Sequence, residues 1–249
     1  MNIQKLNRKT RRLQTHSFKR ILRLCKRSEY ISFDVFDTLL FRRVNSAHDI
    51  FRLMEKQLQV KDFCAKRIAA NEEIRNHPKI SLSTCTNTSP KQFQCQSTPR
   101  EDFLLREIYD YMEGFTPEER ASFAALECEL EIAHCEPRPD VKEIYEECLR
   151  MGKTILLISD MYLPRDCIEG MLAKCGYEGY SALYISGEEG KLKLTGNLFR
   201  LIMERTGISA RSLFHMGDNF TSDFIRPRQL HIKSAKLKAL NSSEKLLYL

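Results

Sequence analysis

Four short stretches of the chain carry side chains that could do chemistry together. The first runs from Tyr30 to Arg42 and places Asp34 at the end of an apolar, aromatic run, with Asp37 and Thr38 close behind. The second ends the run Ile155-Leu156-Leu157-Ile158 on Ser159 and Asp160. The third holds Lys191 and Lys193 just before Gly196, and the fourth is His215-Met216-Gly217-Asp218, with Asp223 five residues on. Asp and Thr are common turn residues, so any one stretch alone reads as a strand running into a solvated turn. Together they read differently. Acidic groups that converge repel one another unless a cation lies between them, and ligation by oxygen alone indicates Mg²⁺. A carboxylate nucleophile, Mg²⁺, a hydroxyl and an ammonium make a phosphoryl-transfer site.

Such residues meet only if the intervening elements bring them to one edge. Tyr30–Phe33, Thr154–Ile158, Ala182–Ile185 and Ser212–Met216 have strand character, and the unbroken run at 154–158 suits a strand buried on both faces of a parallel sheet. Leu230–Ile232 is expected to supply a fifth. Helical periodicity over 141–150, 164–174 and 198–205 alternates with them, which predicts an α/β fold: a Rossmann-like three-layer core with a parallel sheet. In such a sheet Asp34, Ser159 and Asp218 fall in the crevice outside the carboxyl ends of the strands. Between the first strand and this regular remainder, residues 43–137 read as helical with no strong strand, over about 46–76, 100–112 and 117–134. They are expected to form an inserted helical cap, interrupted by a Ser-, Thr- and Asn-rich polar loop at 78–99. The expected divisions are therefore a basic segment 1–29, a core of 30–42 and 138–249, and the cap.

The charge of +7 over 249 residues is concentrated in the N-terminal segment, where residues 1–29 hold ten Lys or Arg against one Glu. The rest is close to neutral, so no specific nucleic-acid partner is predicted. Phe18, Ile21, Leu22 and Cys25 recur at helical spacing among basic residues, which predicts an amphipathic helix docked on the core. A weak membrane-surface or protein contact is its other use. Nine scattered cysteines without a CxxC argue against a disulfide-stapled domain, and Cys128, His134, Cys135 and Cys148 fit no zinc spacing, so buried reduced thiols are expected. No secretory signal or membrane-length apolar run is evident, and a cytoplasmic location is expected.

These motifs, in this order, resemble the haloacid dehalogenase-like (HAD) hydrolase superfamily over about 30–42 and 140–232, with the intervening block similar to that family's helical type of cap. Phe-Asp-Val-Phe-Asp-Thr-Leu-Leu and Ser-Asp-Met-Tyr-Leu further resemble a bacterial subgroup associated with surface-polysaccharide glycosyltransferases. The resemblance implies that Asp34 is the nucleophile and forms an aspartyl-phosphate. It implies that Mg²⁺ is held by Asp34, the backbone carbonyl of Phe36 and Asp218, with support from Asp223. Ser159 would bond a phosphoryl oxygen, and Lys193, favoured over its rival Lys191, would neutralise charge. The implied activity is a magnesium-dependent phosphomonoester hydrolase or phosphotransferase on a small phosphorylated metabolite such as a sugar phosphate. One position departs from the family pattern. Phe36 stands where phosphatases of the family carry an acid–base Asp, leaving Asp37 as the nearest substitute and Asp160 as another. Haloacid-type dehalogenation, and a weakly active or inactive HAD-fold binding protein in surface-polysaccharide synthesis, are the alternatives.

Overall fold

The computed structural model describes residues 18–76 and 100–245. The expected polar loop at 78–99 and the first seventeen residues lie outside the described residues. A five-stranded parallel sheet forms the centre, built from β1 (Tyr30–Phe33), β4 (Thr154–Ser159), β5 (Ala182–Ile185), β6 (Leu213–Gly217) and β7 (Lys233–Lys236), in the order β5-β4-β1-β6-β7. The chain leaves β1 first toward β4 and β5, then returns to the other side of β1 for β6 and β7. That reversal opens the crevice at the carboxyl ends of β1, β4 and β6.

Strand alternation explains why both faces are covered. Along β4, Ile155 and Leu157 enter one apolar cluster while Leu156 and Ile158 enter a second on the opposite face. The first cluster takes in Ile21 and Cys25 of α1 (Phe18–Lys26), Val141, Ile144 and Cys148 of α6 (Pro139–Arg150), and Ile168 and Met171 of α7 (Arg165–Lys174). The second is filled by Leu198, Phe199 and Ile202 of α9 (Asn197–Thr206). The result is the three-layer α/β core. Helix α1 docks as its spacing predicts: Ile21 is buried, Phe18 and Leu22 are half-buried, and Lys19, Arg20 and Lys26 are exposed.

Between β1 and α6 lies the helical cap: α2 (Ala47–Leu58), α3 (Phe63–Asn76), α4 (Leu105–Tyr109) and α5 (Pro117–Ala133). Thr116 caps α5, accepting from the Glu119 amide while the Glu119 carboxylate accepts from the Thr116 amide. Three features differ from expectation. The helical region expected over about 46–76 is helical but divides into two helices where Gln59 and Asp62 take φ of 54° and 60°. The cap is joined to the core by a short antiparallel ribbon, β2 (Leu40–Arg42) with β3 (Cys135–Pro137), in a region where no strong strand is expected. The fifth strand is Lys233–Lys236, not 230–232, because the Leu230 and Ile232 amides turn back to the Pro227 carbonyl and His231 takes φ 62°. A short helix α8 (Ser186–Glu189) follows β5, α10 (Arg226–Gln229) precedes β7, and α11 (Ser242–Lys245) follows it. Among the described residues, no helix is long and apolar enough to cross a membrane.

Candidate active site

The register of the central strands assembles the site. Phe33 pairs with Leu157 on one side and Met216 on the other, so the next rung sets Asp34 beside Ile158 and Gly217, and the one after it reaches Ser159 and Asp218. The Asp34 amide still donates to the Met216 carbonyl (2.8 Å), which fixes the direction of the loop that carries Asp34 as it leaves the sheet. Asp223 arrives differently. It sits in a single π-helical turn, Phe220–Ile225, whose start is capped by the Asn219 side chain accepting from the Thr221 and Ser222 amides (2.9 and 3.0 Å). That wider turn aims Asp223 back at the sheet. Gly217 makes room for it, since a β-carbon there would overlap the Asp223 side chain.

Asp34, Asp218 and Asp223 each offer a carboxylate oxygen within 4.8 Å of the others. Lys193 lies between two of them, its ammonium donating to Asp34 Oδ1 and Asp223 Oδ1 at 2.6 Å each; Lys193 is 2% exposed. The pairing belongs to Lys193 and not to Lys191. Asp160 explains why the lysine enters: its carboxylate accepts from the Lys193 and Leu194 amides (2.7 and 3.2 Å), tying the loop that carries the lysine to the end of β4. Asp160, weighed as a proton donor from sequence, is therefore committed to backbone.

The electrostatics separate the three acids. Burial pushes the Asp34 carboxyl well up, opposed by Lys193 and reinforced by the neighbouring Asp223 and Asp218. Burial and repulsion from Asp223 and Asp37 raise Asp218 to about 6. Burial works against charge on Asp223 too, but Lys193 and His215 both face it and hold it below the usual carboxylate range. Lys193 is raised because the carboxylates outweigh its burial.

Ser159 is 1% exposed, and its hydroxyl is buried with no hydrogen-bond partner among the described residues. An unsatisfied hydroxyl at the carboxyl end of β4 fits a site that expects a ligand oxygen. Three converging carboxylates, two of them held above their ordinary range by burial, likewise fit a small hard divalent cation.

Phe36 and Asp37 behave as their types dictate. The Phe36 ring lies under the Arg42 guanidinium (4.8 Å), which is itself held by the Glu131 carboxylate of the cap at 2.7 and 3.0 Å. Asp37 adopts φ 54°, its carbonyl accepts from Arg138 Nη1 (2.8 Å), and its carboxylate is ion-paired with Lys245 of α11 at 3.2 Å. Thr38 reaches Asp218 Oδ1 at 3.4 Å, a long contact.

Sequence reasoning gave no role to His215, Ser32, Arg138, Arg42 or Lys245. His215 is fully buried, bonded through Nδ1 to the Ser32 hydroxyl (2.8 Å) and through Nε2 to Asp223 (3.2 Å), and its burial keeps it below its ordinary value despite Asp223. Ser32 and His215 are paired residues of β1 and β6, so two polar side chains at matching places in apolar strands were the available signal. Arg138, buried and held by Asp140 at 3.0 and 3.3 Å, supports the loop after β1 from the far end of the cap through the Asp37 carbonyl. Arg42 lies in the first stretch itself, but its partner Glu131 and the Asp37 partner Lys245 come from distant segments and carry no local signature.

No protein-family model matches the chain. Over 67 residues it is 30% identical to haloacid dehalogenase-like hydrolase domain-containing protein 3 of Danio rerio, a stretch that is 26% of this chain and 28% of that protein. Solved structures are similar over most of the length. A HAD family enzyme of Bacteroides thetaiotaomicron matches with TM-score 0.53 at 14% identity, covering 85% of this chain and 94% of that one. A 2-haloacid dehalogenase of Pseudomonas syringae pv. tomato matches with TM-score 0.54 at 15% identity, covering 83% and 85%. The magnesium-bound protein YfnB of Bacillus subtilis, assigned to the HAD hydrolases, matches with TM-score 0.53 at 14% identity, covering 84% and 87%. At these identities the likeness is one of fold: a parallel α/β core with a helical cap.

Proposed function

We propose that the chain is a HAD-like, magnesium-dependent phosphomonoester hydrolase or phosphotransferase that works through an aspartyl-phosphate on Asp34. The observation that carries this reading is the convergence of Asp34, Asp218 and Asp223 within 4.8 Å around a buried Lys193. Asp34, the Phe36 carbonyl, Asp218 and Asp223 would hold Mg²⁺, which when bound supplies positive charge that favours ionised carboxylates and a transferring phosphoryl group. Magnesium in the Bacillus subtilis structure supports this choice of ion.

Asp34 then acts as the nucleophile: its carboxylate oxygen forms a bond to phosphorus as the bond to the leaving oxygen breaks, and water later attacks the acyl phosphate. Lys193 offsets charge on Asp34, and the Ser159 hydroxyl donates to a phosphoryl oxygen. Phe36 cannot carry a proton, so the leaving group receives none from that position. Asp37 is the proposed substitute, provided it turns from Lys245 toward the leaving oxygen.

The same reading assigns 30–42 and 138–249 to the catalytic core and 43–137 to a cap that selects substrate. Residues 1–29 form a basic segment whose docked helix leaves its charged face for a weak surface or protein contact. The substrate is a small phosphorylated metabolite, with a sugar phosphate of surface-polysaccharide synthesis in the cytoplasm as its narrowest form. Phe36 favours one second reading, displacement of a halide, which leaves without a proton. The Asp218–Asp223 pair weighs against it.

The test is phosphate release from a panel of phosphorylated metabolites and an aryl phosphate, with and without Mg²⁺, beside halide release from 2-haloacids, with Asp34→Asn as the blank. Metal-dependent phosphate release abolished by Asp34→Asn is expected. Halide release without phosphate release would transfer the site to the second reading, and neither activity would leave a binding protein.

A further inference from the structure

All seven cysteines among the described residues are free, yet four of them face one another across the boundary between cap and core. Cys128 and Cys135 lie seven residues apart on α5 and the strand it runs into. Cys167 and Cys175 lie eight apart on α7 and its C-cap. On α7 a spacing of eight returns near the same face, and Cys135 enters from β3 just past the end of α5, so the cysteines of the two segments meet. Cys135 Sγ lies 3.7 Å from Cys175 Sγ, and the Cys167 thiol lies 3.8 Å from the Cys128 carbonyl, with the Cys128 side chain near enough to push it up. Gly170 lies between the rungs, where a β-carbon would press on Ile132 of α5 at 3.0 Å, so the elements approach as closely as side chains allow.

We propose that these are two oxidisable dithiol rungs, Cys128–Cys167 and Cys135–Cys175, which a hydroperoxide converts to disulfides that staple the last cap helix to the core. A separation of 3.7 Å is van der Waals contact, and small side-chain rotations bring such sulfurs to bonding distance. Access comes through the surface. Cys128 is half-buried and lines an open groove of about 700 Å³ between Ala124, Leu105 and Pro164. At the inner rung both sulfurs are buried, Cys135 at 0% and Cys175 at 4% exposed, and the contact with Cys175 and the nearby Lys174 ammonium hold the Cys135 thiol below its ordinary value against burial.

The step balances. The sulfur of one cysteine attacks a peroxide oxygen, the O–O bond breaks, and water leaves a sulfenic acid. The partner sulfur then attacks that sulfur, the S–S bond forms, the S–O bond breaks, and the oxygen leaves as a second water carrying the partner's proton. Two thiols are oxidised and one peroxide is reduced. Each disulfide closes a loop of about 40 residues, long enough to restrict the unfolded chain substantially.

The experiment treats the full chain with stoichiometric hydrogen peroxide, alkylates remaining thiols, and maps peptides without reduction. A thermal melt follows before and after a thiol reductant. Linked peptides 128–167 and 135–175 are expected, together with a melting midpoint several degrees higher that returns on reduction. Cys167→Ser and Cys175→Ser should each delete one linked peptide and spare the other. Linkage only between molecules, only to other cysteines, or none at all overturns the proposal, as do correct linkages that leave the midpoint unchanged. None of these readouts needs turnover, so the proposal and the catalytic reading succeed or fail separately.

Discussion

Replacing Lys193 with Met removes the charge at the centre of the site while keeping the length of the side chain. In the parent the ammonium is 2% exposed and 2.6 Å from two carboxylates that are 9% and 0% exposed. Taking one partner from a buried ion pair typically costs about 3–5 kcal/mol, because the other charges stay buried without compensation. For a domain of this size, about 2–4 °C of melting temperature accompanies each kcal/mol, so the metal-free variant should melt roughly 6–20 °C below the parent. Two further measurements tie the loss to the carboxylates. Asp34 and Asp218 already have folded-state pKa values above those of the unfolded chain, the latter at about 6. The native form therefore binds extra protons as pH falls below about 6, and the variant's deficit should shrink toward acid. Added Mg²⁺ should also raise the variant's midpoint more than the parent's, since a cation binding only the native form at 100 times its Kd contributes about 2.7 kcal/mol. The assay is a melt at pH 5, 6 and 7.5 with and without MgCl₂. A midpoint within a degree or two of the parent at pH 7.5, or identical magnesium increments in both proteins, would refute the claim that Lys193 neutralises these acids.

Ser159→Ala should leave the melting temperature unchanged or slightly raised, because the hydroxyl it deletes is buried and unpartnered, while phosphatase turnover falls about 10–100-fold; parallel melts and rates check both. Asp102 is buried beside Ser186, and burial holds its carboxyl above its ordinary value. Its charged form therefore costs stability as pH rises from about 4, so Asp102→Asn should match or exceed the parent at pH 7 and lose that advantage near pH 4 in denaturant titrations. In the cap, Arg67 and Glu127 are both fully buried, paired at 2.8 and 2.9 Å, with the guanidinium against the Phe51, Tyr109 and Tyr162 rings. Arg67→Met should cost about 3–5 kcal/mol, whereas adding Glu127→Leu should recover most of it, measured as a double-mutant cycle.

How much of this was legible beforehand depended on how locally each feature is specified. The run at 154–158 named its own strand because a central parallel strand is apolar on both faces, and the acids after β1 and β6 followed from strand ends alone. Edge strand β7 failed that test: Lys233-Ser234-Ala235-Lys236 is mostly polar because only part of it meets the core, while the more apolar Leu230–Ile232 beside it is spent on a turn. The break between α2 and α3 uses Gln59 and Asp62 in left-handed conformations, where no glycine announced a stop. In the site, what could not be read were partnerships across long separations. Ser32 and His215 are 183 residues apart, Arg42 and Glu131 89 apart, and Asp37 meets Lys245 from the other end of the chain. Those hidden partners bear on Phe36, the one position whose type departs from phosphatase chemistry. Its ring is covered by a guanidinium that a cap carboxylate holds in place, and the adjacent Asp37 is turned to a lysine of the C-terminal helix. If the site works as proposed, proton delivery there depends on side chains from the cap and the C-terminal helix that hold Arg42 and Asp37. Substrate closure and leaving-group protonation should accordingly be coupled, and a substrate too small to engage the cap should show the larger penalty for a poor leaving group.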